Sequence, residues 1–265
     1  MHLRKHKKTP KSHEFKFVHY LGTLLLTGIA LFFITVIGNM ASDYIRSQQT
    51  QITTTSITTV STESFDDLLN ASRRILSQAN VYLQINLEGE IKIGSGTIIF
   101  SDEEYYYALT CEHVIDGDVE TIVSKQVMTI DEVITDFEVV ASDSDLDLAV
   151  IKFSKESRIN LFPLLFHGGE PSINETILSI GNPLGNYNYL TIGSYLGETT
   201  LLELDLSRLV IQTNAYLPSG FSGGAMTNLE GELIGINAWA LNGESYSIPV
   251  SVIHNYLQQI GISHY

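Results

Sequence analysis

Ser222 stands among glycines, in Leu217-Pro-Ser-Gly-Phe-Ser-Gly-Gly-Ala225. Packing alone explains a serine in that setting poorly. It suits a hydroxyl that protrudes from a sharp turn with backbone N–H groups bared beside it, which is what acyl transfer requires. A glycine-rich hairpin turn accounts for the same residues about as well. Gly-x-Ser-x-Gly is also the nucleophile elbow of α/β-hydrolases, where an acid and then a histidine follow the serine. That elbow runs into a helix. Here Gly223-Gly224-Ala-Met-Thr-Asn-Leu-Glu-Gly231 is a poor helix start, and no Asp follows Ser222. A base and an orienting acid for Ser222 are therefore expected upstream, in the order His, Asp, Ser.

His113 is the candidate base. It ends the apolar run Tyr107-Ala-Leu-Thr-Cys-Glu-His113, where a side chain can point from a strand end into a cleft. A strand-end histidine satisfied by its neighbours is the bland alternative. His167, His254 and His264 are isolated in loop, helix and tail contexts. A general base needs a partner that fixes its tautomer. Ser142-Asp-Ser-Asp-Leu-Asp-Leu-Ala-Val-Ile151 offers three acids, and Asp147 abuts the apolar run, so it is the one drawn under cover. Asp143 and Asp145 read as turn residues. Asp-x-Asp-x-Asp is close to a calcium loop, but the glycine and distal glutamate of that pattern are missing, and no His-Glu-x-x-His occurs. No metal and no cofactor are expected. Cys111, the sole cysteine, reads as a buried strand residue.

The elements that position these residues read as β-structure. Short runs include Val81–Leu87, Gly94–Phe100, Tyr105–Thr110, Val119–Val123, Val133–Val140, Leu148–Phe153, Thr176–Ile180, Leu190–Leu196, Leu209–Thr213 and Glu232–Asn237. Their close spacing, with Gly, Asn, Asp or Pro between many of them, argues for an all-β sandwich or barrel. After residue 80 the one convincing helix is Val250 to Ile260. The chain carries no pair of cysteines, so it must be held by its core, and the roughly 190 residues from Gln78 onward suffice for one or two barrels.

Residues 1–19 are basic, and no Asp, Glu, Lys or Arg occurs from Phe17 to Ser42. The apolar centre matches the ~20 residues that span a bilayer and exceeds a signal-peptide core. The expectation is an uncleaved signal anchor at 20–41, with the basic segment cytoplasmic and the rest outside. Residues 42–77 read as a Ser/Thr-rich linker and a short helix, started by Ser64-Phe-Asp-Asp67 and ending near Ala79. Residues 78–265 form the main domain. Beyond residue 19 the chain keeps 9 of 15 basic and 29 of 30 acidic residues, which argues against nucleic acid as a partner. Asn70-Ala-Ser72 and Asn174-Glu-Thr176 match the glycosylation triplet, a pattern common by chance.

Taken in order, these segments resemble the HtrA/Deg family of trypsin-fold serine proteases. Thr110-Cys-Glu-His-Val-Ile-Asp-Gly117 resembles its histidine segment, Asp145-Leu-Asp-Leu-Ala-Val150 its aspartate segment, and Gln212 to Ala225 its serine segment. Ile180-Gly-Asn-Pro-Leu-Gly185, Asn228 to Asn237 and Tyr246-Ser-Ile-Pro249 continue the likeness, which runs from about Gln78 to Ile260. The resemblance implies two six-stranded β-barrels with the site between them, followed by a C-terminal helix. It implies His113 as general base, Asp147 as orienter, Ser222 as nucleophile, and the Gly220 and Ser222 amides as the oxyanion hole. Gly235, Ile236, Asn237 and Ala238 would pair with an extended substrate, and Tyr216 would lie near the pocket floor. Polypeptide substrates, membrane attachment through the N-terminal helix, a cell-envelope location and a homotrimer are what the family implies. Phe221 and Ala225 depart from the family's usual Asn and Pro, and the expectation is a member lacking the PDZ domain common in the family. Two other readings stay open: a catalytically silent module that binds extended peptides, and an esterase using the same triad.

Overall fold

The computed structural model describes residues 62–117, 121–156, 158–203, 206–241 and 243–262. The expected anchor at 20–41 and most of the linker lie outside the described residues. Among the described residues no helix is long and apolar enough to cross a membrane.

Helix α1, Thr62–Ala79, buries Leu76 and Ala79 against the domain. It is longer than the sequence suggested and ends where expected. Twelve strands follow: β1 Asn80–Leu87, β2 Glu90–Ser101, β3 Tyr105–Thr110, β4 Ile122–Met128, β5 Ile134–Asp143, β6 Leu148–Ser154, β7 Thr176–Gly181, β8 Tyr189–Glu203, β9 Leu206–Thr213, β10 Ala225–Thr227, β11 Leu233–Leu241 and β12 Glu244–Pro249. A single helical turn, α2 Glu112–Ile115, follows β3, and α3, Val250–Gln259, closes the chain. The strands form two closed barrels, β1-β2-β3-β6-β5-β4 and β10-β11-β12-β9-β8-β7, with every neighbouring pair antiparallel.

Burial explains the barrels. In β6 the run Leu148-Ala-Val-Ile is wholly buried, and it pairs with β3 through Thr110↔Ala149 and with β5 through Asp143↔Leu148. Closure gives each strand a neighbour on both sides, and the interiors fill with aliphatic and aromatic side chains. The first barrel's core holds Leu83, Ile85, Ile98, Leu109 and Ile151; a cluster in the second holds Ile177, Tyr195, Ile211, Phe221 and Met226. Two strands, β10 and β12, were not legible as strands, because each is short and flanked by glycine-rich or loop sequence.

Candidate active site

His113 sits in α2 rather than at the end of β3, one turn past the strand. Asp147 immediately precedes β6 and takes a left-handed backbone conformation, φ 55°. That conformation is uncommon for a non-glycine residue and tolerated best by Asp and Asn. It folds the carboxylate back toward α2. Asp147 Oδ2 accepts from His113 Nδ1 at 2.8 Å, and Oδ1 accepts from the His113 backbone amide at 2.9 Å. The Asp147 carbonyl also accepts from the Glu112 amide at 3.2 Å. Asp147 is 4% exposed, while the His113 side chain is 45% exposed. The acid is therefore buried against its partner and the imidazole reaches the cleft.

Ser222 comes from the β9–β10 connection in the other barrel. His113 and Ser222 line one cleft with Ile91, Lys92 and Gly220, about 330 Å³ in volume. The Ser222 hydroxyl donates to the Ala238 carbonyl at 3.0 Å, not to His113. The loop is held close to the first barrel: a Cβ on Gly223 would stand 2.0 Å from the Ser95 carbonyl oxygen, so only glycine fits. Gly220 has φ 100°. The Phe221 amide donates to the Pro218 carbonyl and the Gly224 amide to the Phe221 carbonyl. Among the described residues, the Gly220 and Ser222 amides have no protein acceptor. Two adjacent free N–H groups beside a serine are the donor pair an oxyanion needs.

A second cavity, about 210 Å³, opens beside Ser222. It is lined by Leu217, Pro218, Ser219, Phe221, Asn237, Ala238, Trp239 and Ala240, with no charged side chain. Asn237 and Ala238 thus reach the cavity. Gly235 and Ile236 do not: they are paired on one side with Met226 and Ala225 and on the other with Pro249 and Ile248. The expectation that these two meet substrate is corrected by that pairing. The β11–β12 register shifts between Asn237 and Trp239 and pairing resumes at Trp239, whereas on its other side β11 pairs with β10 only as far as Ile236 and Asn237 bonds Gly223 and Gly224, so the open edge begins at Ala238 on that side. Tyr216 is 59% exposed and stands outside this cavity, whose wall at that point is the buried Leu217.

Asn237 has a structural task that the sequence did not suggest. Its Nδ2 donates to the Ile180 and Ala225 carbonyls, and its carbonyl accepts from the Gly223 amide and the Cys111 thiol. Phe221 is turned into the second barrel, 1% exposed, with its ring edge-on to Tyr189 at 6.2 Å. Cys111, His113 and Asp147 have ligand atoms within 4.8 Å of one another, a spacing that a metal can use. The donors are already engaged: burial first, and then the Asp147 charge, push the Cys111 thiol well above its ordinary range, and His113 Nδ1 faces Asp147. A metal there would have to displace both contacts.

Two six-stranded barrels with a His–Asp pair from one and a glycine-flanked serine from the other define a trypsin-fold protein. Residues 94–236 match the trypsin-like peptidase domain family, and the chain belongs to it, within the HtrA group. It is 34% identical over 177 residues to a probable periplasmic serine protease, do/HhoA-like, of Haemophilus influenzae, covering 63% of this chain and 36% of the relative. It is 29% identical over 208 residues to the serine endoprotease DegS of the same organism, covering 73% of this chain and 57% of DegS. Among solved structures, the HtrA-type protease AlgW with tripeptide superposes with TM-score 0.63 at 28% identity, covering 74% of this chain and 64% of that one. The chain thus spans between about a third and somewhat over half of these curated relatives' length.

Proposed function

We propose that the chain is a serine endopeptidase of the cell envelope that hydrolyses peptide bonds through an acyl-enzyme. The observation that carries the reading is the buried Asp147 carboxylate on His113 Nδ1, in one cleft with Ser222 and two acceptor-free amides. Ser222 Oγ turns from Ala238 to His113 Nε2, loses its proton there and attacks the scissile carbonyl. The oxyanion is received by the Gly220 and Ser222 amides. His113, now cationic and steadied by Asp147, gives its proton to the departing amine. Water then enters and the same steps run in reverse order of partner to release the acid. The uncharged cavity supports small apolar side chains at the cleavage position. Envelope location is supported by the relatives' periplasmic names and by the apolar stretch at 20–41. A homotrimer, quality control or regulated proteolysis as its task, and attachment to the membrane by that stretch are part of the same reading.

One observation favours a second reading, a silent module that holds extended peptides in the cleft: the Ser222 hydroxyl rests on Ala238. The deciding experiment is labelling of the full chain with a fluorescent fluorophosphonate beside Ser222→Ala, followed by digestion of denatured casein. Labelling lost in the variant, with casein cleaved by the parent, is the expected result. A folded parent that neither labels nor cleaves would establish the silent module. Labelling with ester but not casein hydrolysis would establish the esterase.

A further inference from the structure

The serine loop is fixed to the first barrel through two buried side chains to which no role has yet been assigned. Ser95 lies in β2 and Asn182 just after β7; both are fully buried. Ser95 Oγ donates to the Gly220 carbonyl at 2.7 Å and accepts from the Asn182 amide and from Asn182 Nδ2, each at 3.0 Å. Its one donor and two acceptor sites are all used. Asn182 is equally complete: Nδ2 donates also to the Val81 carbonyl at 3.0 Å, and Oδ1 accepts from Asn80 Nδ2 and the Asn188 amide, each at 3.0 Å. The Asn182 amide is shared with the Gly220 carbonyl at 3.3 Å.

The peptide plane between Gly220 and Phe221 is therefore held at both ends, its carbonyl by Ser95 and Asn182 and its N–H by Pro218. The next plane is held by Gly224 on the Phe221 carbonyl, and the Ser222 carbonyl accepts from the Ser95 amide at 2.8 Å. Only the Ser219–Gly220 plane has no such restraint. Glycine at 220 makes that plane free to turn over, which would swing its N–H out of the cleft.

We propose that Ser95 and Asn182 are positioning residues for oxyanion binding: by gripping the Gly220 carbonyl they fix the peptide plane that links the two donor residues, so the Gly220 amide turns about a fixed Cα beside the Ser222 amide. The inference rests on Ser222 being the nucleophile. Neither side chain touches the cleft, so their removal should change the rate of the bond-making step and leave ligand binding alone. A fully satisfied buried pair of this kind rigidifies what it holds; without Ser95 Oγ the Gly220 carbonyl keeps only the longer 3.3 Å bond from the Asn182 amide, and one Asn182 Nδ2 hydrogen loses its acceptor.

The test uses the full chain carrying Ser95→Ala, and the near-isosteric Ser95→Cys in case the alanine variant fails to fold. The saturating phosphonylation rate by a fluorophosphonate should fall about tenfold or more, less than the 10²–10³ for outright loss of an oxyanion donor. Its half-saturating concentration should stay within twofold and the melting profile should remain cooperative. Hydrogen exchange of peptides spanning 217–224 should quicken in the same variants. Unchanged phosphonylation and unchanged exchange would overturn the proposal, as would a parallel loss of binding and rate. If the parent chain itself does not react, the endopeptidase reading has failed. The exchange comparison then decides the clamp alone, and unaltered exchange rejects it.

Discussion

The Ser222 hydroxyl and the Ala238 carbonyl, both on the wall of the uncharged cavity, are joined by a 3.0 Å hydrogen bond. Ala238 is also the residue that the β11–β12 bulge leaves unpaired. An extended peptide added to this edge would offer its own N–H to that carbonyl and compete with the serine for it. Displaced from Ala238, the hydroxyl would be free for His113, which lines the same cleft.

Asp147→Asn separates charge from backbone. Asparagine accepts the left-handed conformation at φ 55°, so the turn should survive, while the amide supports the wrong imidazole tautomer. The maximal rate on a peptide substrate is expected to fall on the order of 10⁴-fold, with a melting temperature close to the parent. Stopped-flow acylation and a thermal melt check both halves.

Phe221 is a stability residue lodged beside a chemical one. A Cβ added at Gly181 would stand 2.7 Å from both Phe221 Cα and Cγ, so Gly181→Ala should clash. Phe221→Ala should cost roughly 3–5 kcal/mol of unfolding free energy. Denaturant titration of both variants measures this; a loss below 1 kcal/mol for Phe221→Ala would mean that the ring does not anchor the loop.

Cys111 carries a pH signature. Its thiol is raised in the fold above the unfolded value, so the protonated form is favoured by folding. That contribution is complete below the ordinary thiol range, about 8.5, and is lost as pH rises through and beyond it, by up to about 1.4 kcal/mol per unit. Between pH 8 and 9.5 the parent should lose stability faster than Cys111→Ala. Parallel denaturant curves for the two proteins over that window would contradict the assignment.

Cleavage preference follows from the lining of the 210 Å³ cavity, which carries no charge. In a peptide library, sites after Ala, Val, Ile or Leu should be cut at least about tenfold better than sites after Lys, Arg or Asp, because burying an unpaired charge there is unfavourable. Preferred cutting after Lys or Arg would refute this.

Some of the site was legible because its signals are local. Ser222 announces itself through adjacent glycines, and Asp147 through the apolar run that begins at the next residue. The strand-end reading of His113 misses the helical turn that carries it. What was missed is written in contacts between distant residues. Ser95 meets Gly220 across 125 positions, and nothing local in Gly94-Ser-Gly marks its serine as anything but a strand residue. Periodicity does not reveal where the pairing of β11 with β10 stops, and counting back from Ser222 to Tyr216 cannot tell an inward side chain from an outward one.

His113 and Asp147, the proposed base and acid, lie in the barrel made first, and Ser222, the proposed nucleophile, lies in the barrel made last; Ser95 and Thr97 join the two by hydrogen bonds to Gly220 and Gly223. No partial chain that ends before Ser222 owns all three residues of the proposed set. On that reading, emergence from the ribosome and assembly of the seam act as a lock: the proposed chemistry needs both barrels.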